Sequence, residues 1–162
     1  MATMQGGFAS QIRVFKAKAA VAINKQCYAI SRQLFLFIVE LSPDNDTTFP
    51  QKANFAKGYL KNNWYPTDGA AFSSDEGSSA DQSGSASKAR ILGLKGSQFL
   101  LRDGTVTLAN NVKYAFRAEY DGWPEGGGPL GLWKGTRKPY AMIARSLILM
   151  QGKYPYVGGK AD

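Results

Sequence analysis

The feature that most constrains this chain is an apolar pattern at helical spacing that runs from Ser10 to Leu41 and is cut by Pro43. Ile23, Cys27, Ile30, Leu34, Phe37 or Ile38, and Leu41 recur at three- and four-residue steps, which places them on one face of a helix. Arg13, Lys16, Lys18, Lys25 and Arg32 supply polar cover. Ser10 is the candidate cap. The residue before a proline is pushed out of the helical region, so the helix stops at Ser42-Pro43. A helix of about 30 residues is roughly 45 Å long at ~1.5 Å per residue. That exceeds the width of a domain built from 162 residues, so its N-terminal half is expected to pack on another subunit. Between Leu34 and Leu41 the apolar character goes nearly all round, which predicts burial on more than one side.

The rest of the chain alternates short elements with turn signals. Residues 1–9 read as a mobile start. Leu60 to Tyr65 is predicted to be a strand, stopped by Pro66 and the Asp68-Gly69 turn. Residues 72–87, dominated by Ser, Asp, Gly and Ala, read as a mobile loop. Ser83 or Ser85 is expected to cap a short helix that runs through Ala89 and Leu92 to near Gly96. Gln98–Arg102 and Thr105–Ala109 flank Asp103-Gly104 and predict a hairpin. In that register Leu101 faces Val106 and Phe99 faces Leu108, an apolar face for the long helix to cover. Residues 111–120 predict a short helix with Val112, Ala115, Phe116 and Glu119 on neighbouring turns. A Gly/Pro-rich stretch follows over 121–138. Pro139 then suits the first turn of a last helix, with Tyr140, Ile143, Ala144, Leu147 and Ile148 as its stripe and Gly152 at its end. Residues 153–162 read as a frayed tail. The sum is one α+β domain over 1–162: a long N-terminal helix and a C-terminal helix packed on a small, mostly antiparallel β-sheet.

Composition narrows the function. The formal net charge is +8, with residues 1–40 at +4, 41–90 at −1 and 91–162 at +5. A basic balance fits nucleic acid, an acidic docking partner, or solubility alone. The single cysteine, Cys27, excludes an internal disulfide framework, fits a reducing compartment and reads as small core filler. The chain has no histidine, which removes the commonest general base and metal ligand. Asp44/Asp46 and Asp75/Glu76 are paired acids in loops without a second cluster, and the serines of 73–87 have no base partner. No catalytic, cofactor-binding or metal-binding residue is therefore expected, and the chain reads as a non-enzyme. The apolar run 34–39 is far short of the ~20 residues a membrane span needs, and no signal peptide is visible at the N-terminus.

Two segments remain. Ser42-Pro43 closes the long helix and leads to Gly58 through Asn63-Trp64. After Asp81-Gln82-Ser83-Gly84-Ser85 comes Asn110-Asn111-Val112-Lys113-Tyr114-Ala115, then Glu119-Tyr120-Asp121-Gly122. In this order the segments resemble the tail-completion, or head-to-tail joining, proteins of long-tailed bacteriophages, over residues ~8–152. The motif positions are Ser42, Pro43, Gly58, Asn63, Trp64, Ser83, Gly84, Asn111, Tyr114, Ala115, Glu119 and Gly122. The chain departs from the family pattern at Asn45–Pro50, where extra residues precede Gly58, and at Lys113, where a proline is common.

The resemblance implies a structural virion protein of the phage neck, located at the head–tail interface and assembled in the host cytoplasm. It implies a ring of copies, usually six, that meets the head connector or adaptor on one side and the tail tube or tail terminator on the other. Genomic DNA would pass through the channel. No cofactor and no membrane are implied. Other neck components, such as a tail terminator or minor capsid protein, and a free-standing basic nucleic-acid-binding module are the alternatives. Read residue by residue, Trp64 is either a core or rim aromatic or an interface anchor. Tyr114 and Glu119 read as structural, with Glu119 satisfying backbone donors or a basic neighbour. Trp123 and Trp133 are candidate interface residues or part of a loop folded back on the domain. Lys134, Arg137 and Lys138 are candidates to face DNA phosphates or an acidic partner, or are simply solvated. Gly126-Gly127-Gly128 lacks the strand-to-helix context of a phosphate cradle.

Overall fold

The structure, a computed structural model, describes residues 5–43, 58–68, 70–73, 81–94, 105–112, 115–121 and 139–154. Helix α1 runs from Gln5 to Leu41 without a break. It therefore starts five residues before Ser10, which lies inside the helix and is not its cap. At ~1.5 Å per residue its 37 residues span roughly 55 Å. A one-turn helix α2 (Tyr59–Asn62), strand β1 (Tyr65–Asp68) and helix α3 (Ser85–Gly93) follow. Then come strand β2 (Val106–Ala109), a π-helical turn (Arg117–Asp121) and helix α4 (Met142–Lys153). The two strands pair antiparallel, Tyr65 opposite Ala109 and Asp68 opposite Val106. The architecture is α+β: a long N-terminal helix, a C-terminal helix and a small antiparallel sheet.

The core forms where three helices meet the C-terminal third of α1. Phe35, Ile38 and Val39 pack with Leu60, Trp64, Ile91, Val112, Ala118 and Met142. The core face of α1 is thus Phe35, Ile38, Val39 and Ser42. The expected stripe is met there by Ile38, with Leu34 and Leu41 packed against it, but not by its earlier members Ile23, Cys27 and Ile30. Of those, Ile23 and Cys27 are exposed and the rest half-buried, so Cys27 is not core filler. The reason is the all-round apolar character of residues 34–39, where periodicity cannot select a side.

Further expectations are corrected. The segment 59–62 is a helical turn rather than a strand, and β1 begins at Tyr65, where the expected strand ends. Pro66 does not stop the strand but sits within it, opposite Leu108. That is tolerated because, among the described residues, β1 has a sheet partner on one side only, so the missing N–H need not break a ladder. In α4 the buried residues are Met142, Ser146 and Met150, four apart, whereas Leu147 and Ile148 are exposed. The serine is accommodated because its hydroxyl donates to the Met142 carbonyl, 2.6 Å away. Neither Pro139 nor Tyr140 lies in α4, and Gly152 is inside it rather than at its end. α3 stops at Gly93, short of Gly96. Val106 and Leu108 are half-buried against the core, but Thr107 and Ala109 are half-buried too, so burial along β2 does not alternate. The other hairpin strand, 98–102, and the turn Asp103-Gly104 lie outside the described residues.

Candidate functional site

All of the motif residues that the structure describes except Ala115 and Glu119 converge on one junction, where the end of α1, the α2 turn, the start of α3 and the strand ends meet. α2 positions it. Gly58 precedes the turn with φ 77°, and its carbonyl accepts the Asn62 N–H at 2.9 Å. A side chain there would put a Cβ 2.1 Å from the Asp81 carbonyl oxygen. Only glycine permits both the left-handed backbone and this approach. The turn then delivers two asparagines and a tryptophan into the interior.

Asn62 is fully buried. Its amide donates to the carbonyls of Gly58, at 3.2 Å, and Asp81, and its side-chain oxygen accepts the Ala86 N–H at 3.2 Å. One side chain thereby ties α2, the 81–84 turn and the first turn of α3. Asn63 donates to the Tyr59 carbonyl at 2.6 Å. Trp64 uses both of its N–H groups: its backbone donates to Ser87 Oγ at 2.9 Å and its indole to Ser42 Oγ at 2.8 Å. Ser42 in turn donates to the Ile38 carbonyl at 2.8 Å, closing the end of α1. Trp64 is a core residue that locks α1 to α3. Pro43, also buried, follows directly.

Ser83 and Gly84 belong to the turn that starts α3. Asp81 is the hub of that turn. Its carboxylate accepts the Ser83 N–H at 2.9 Å, the Ser83 hydroxyl at 2.7 Å, the Ser85 N–H at 3.1 Å and the Ser85 hydroxyl. The Ser85 and Ser83 hydroxyls, donating to the carboxylate, hold its pKa well below the usual carboxylate range. The helix is thus capped chiefly by Asp81, with Ser83 and Ser85 acting as donors to it. Ser83 Oγ also accepts the Ser85 N–H at 3.2 Å. Gly84, at φ 72°, lies against Val39 and Lys61, where a Cβ would be 2.8 Å from a Val39 methyl.

The sheet is joined to the junction by Arg90 and the Asn110-Asn111 pair. Arg90 donates to the Asn62 carbonyl at 2.8 Å and stacks 4.0 Å over the Tyr65 ring, which stacks in turn on Phe72 at 4.2 Å. Asn110 donates to the Leu60 carbonyl at 2.9 Å and Asn111 to the Phe72 carbonyl at 2.6 Å. The sequence reading missed Asn62, Asp81, Arg90 and Asn110 as partners. Asparagines beside helical turns, which compete for backbone groups, were the available signal.

A second, smaller centre caps α4. Glu119 is buried on the π-helical turn, and both its oxygens accept the Ile143 N–H, at 3.0 and 3.1 Å. Ala141, just before the helix, has φ 48°, the left-handed region that L-residues avoid. The Tyr140 N–H donates to the Ala118 carbonyl at 2.7 Å and anchors that strained entry. Ala115, half-buried, packs against the core. Tyr114, Gly122 and all five candidate interface residues, Trp123, Trp133, Lys134, Arg137 and Lys138, lie outside the described residues.

Chemically the junction satisfies backbone groups and positions elements. Among the described residues no group of three or more His, Cys, Asp or Glu side chains is placed to hold a metal ion. Among them, too, no helix is long and apolar enough to cross a membrane. No family model matches the chain, and no curated protein or solved structure matches it.

Proposed function

We propose that the chain is a structural subunit of a tailed-phage neck, a ring-forming tail-completion protein that joins the tail to the head connector around the passing DNA. The observation that carries this reading is a division of labour within the chain. The motif residues Ser42, Gly58, Asn63, Trp64, Gly84 and Asn111 are spent on one rigid junction of structural hydrogen bonds. The N-terminal half of α1 leaves that junction with its apolar residues exposed. A rigid body with a long helix whose N-terminal half is exposed among the described residues is the form of a part that works by assembling. The test is electron microscopy of lysates from a virus lacking this chain. DNA-filled heads accumulating beside unattached tails are expected. Fully assembled but non-infectious particles would remove the joining role and move the nucleic-acid-binding reading to the front.

One observation favours a second reading, a basic nucleic-acid-binding module. Arg13, Lys16, Lys18 and Lys25 are all exposed along α1, and no carboxylate occurs in this chain before Glu40. Under that reading the isolated protein retards duplex DNA in a gel at physiological salt, with affinity falling steeply as salt rises.

A further inference from the structure

The N-terminal half of α1 carries an apolar seam and charge of a single sign. Phe8, Ile12, Phe15 and Ala19 step by four, three and four residues, so they share one face. Phe8 is 73 % exposed, Phe15 74 % and Ile12 49 %. Every residue from 7 to 18 is exposed, so no described part of the chain covers this stretch. Written as a heptad, Phe8 and Phe15 are d positions and Ile12 and Ala19 are a positions. Such an a/d seam is narrower than the stripe by which a helix lies on a domain core, and it is the face one helix shows along another. After Ala19 the steps to Ile23 and Cys27 are both four, a stutter that locally unwinds such a pair.

In this register Lys16 stands at e and Lys18 at g, one on each side of the seam. Arg13 and Lys25 lie further round the helix and are exposed as well. α1 has no carboxylate before Glu40, so no acidic neighbour three or four residues away neutralises any of the four. Charge then decides what lies on the seam. A second copy, parallel or antiparallel, brings only lysine and arginine to meet Lys16 and Lys18, and like charges at those positions repel. Duplex DNA pairs with cations but leaves Phe8 and Phe15 in water. A lipid surface takes up a broad apolar face with a strongly polar one opposite. Here the seam is narrow, and the exposed Val14 and Val21 lie on the other side of the helix.

We infer that the N-terminal half of α1 pairs with an acidic amphipathic helix of a different protein. The apolar seam of that helix covers Phe8, Ile12, Phe15 and Ala19, and its Glu or Asp side chains face Lys16 and Lys18. Flanking charges of this kind set the choice of partner, while the seam supplies the attraction. The inference gives the joining role a partner and rests on the proposed function for where that partner sits. The chemistry of the partner rests on the helix alone.

The probe is a synthetic peptide of about four heptads with isoleucine at a, leucine at d and glutamate at every e and g. It is labelled and titrated with the full chain, with fluorescence anisotropy as the readout. A control peptide carries lysine at every e and g. The acidic peptide should bind about tenfold tighter than the control at low salt, and the gap should narrow as salt rises. A double variant, Lys16→Glu with Lys18→Glu, should reverse the preference. Phe15→Asp should lose both peptides, and Ile12→Asp replaces it if it fails to fold. All these sites are exposed, so folding should persist, and circular dichroism checks it. Equal binding of the two peptides, or a preference unmoved by the double variant, overturns the pairing. So does an acidic peptide that stays unbound while phosphatidylglycerol vesicles, duplex DNA or a second copy of the chain engage α1 through Phe15. The two readings fail separately. Closed rings with no peptide bound keep the proposed function and refute this contact. Peptide bound by a chain that never forms rings keeps the contact and refutes the ring.

Discussion

Gly58→Ala tests whether the motif glycine is there for close packing. The substitution places a Cβ 2.1 Å from the Asp81 oxygen, 2.7 Å from its carbonyl carbon and 2.9 Å from the Gln82 Cα. All three are backbone atoms, so no side chain can swing aside and the 81–84 turn itself must move. Moving it stretches the Asn62 bonds to Asp81 and Ala86. The residue must also hold φ 77°, which costs a non-glycine residue ~1–2 kcal/mol. Overpacking adds about 1–3 kcal/mol. A total of about 2–5 kcal/mol is large against the ~5–15 kcal/mol of a typical domain. For a chain of this size it lowers Tm by roughly 5–20 °C. Gly84→Ala shares the positive φ, but its near contacts are the side chains of Val39 and Lys61, which can shift. Its loss should be smaller. Gly93 and Gly152 have nothing within 4 Å, so alanine there should be neutral or stabilising by up to ~1 kcal/mol. The assay is thermal and denaturant unfolding of the four variants. A Gly58→Ala variant within ~0.5 kcal/mol of the unmodified chain, or one milder than Gly84→Ala, refutes the reasoning.

Glu119→Gln should cost about 1–2 kcal/mol in chemical denaturation, since it removes the charge that accepts the Ile143 N–H at the N-terminus of α4. Hydrogen exchange should show the loss concentrated in the first turn of α4. A double-mutant cycle of Trp64→Phe and Ser42→Ala should give a coupling of ~0.5–1.5 kcal/mol, because the indole N–H and the Ser42 oxygen meet at 2.8 Å. Asp81 supplies a pH dependence. Its folded-state acidity is strengthened, so its contribution is fully present above the ~3.9 of an unfolded aspartate and is lost as pH falls through its lower folded value. Asp81→Asn should therefore destabilise the chain at neutral pH and flatten the fall in Tm below about pH 4. An unchanged acid slope would contradict the cap.

The sequence disclosed the long helix through its apolar spacing, and the end of that helix through Pro43. It disclosed the class because turn signals divide the rest into short elements. It did not disclose which side of α1 faces the core, since residues 34–39 are apolar all round. In α4 the core position Ser146 looks polar and the exposed Leu147 and Ile148 look like core. The serine satisfies itself against Met142, a compensation invisible to hydropathy. The α2 turn was mistaken for a strand because Leu60 and Trp64 flank two asparagines whose helical bonds depend on partners in α3 and at Asp81, far along the chain. The motif residues Gly58, Asn63, Trp64 and Gly84 were identifiable, but their long-range partners were not, since nothing local marks Ser87 or Arg90. The exposed Phe8, Ile12 and Phe15 read as a helix with a free face, which the excess length of the helix over the domain already implied.

The central claim is that this chain acts by assembling, and imaging the purified protein tests it most directly. Negative-stain electron microscopy at micromolar concentration should show closed rings with a central opening. Single copies at every concentration, with no rings, would contradict the account.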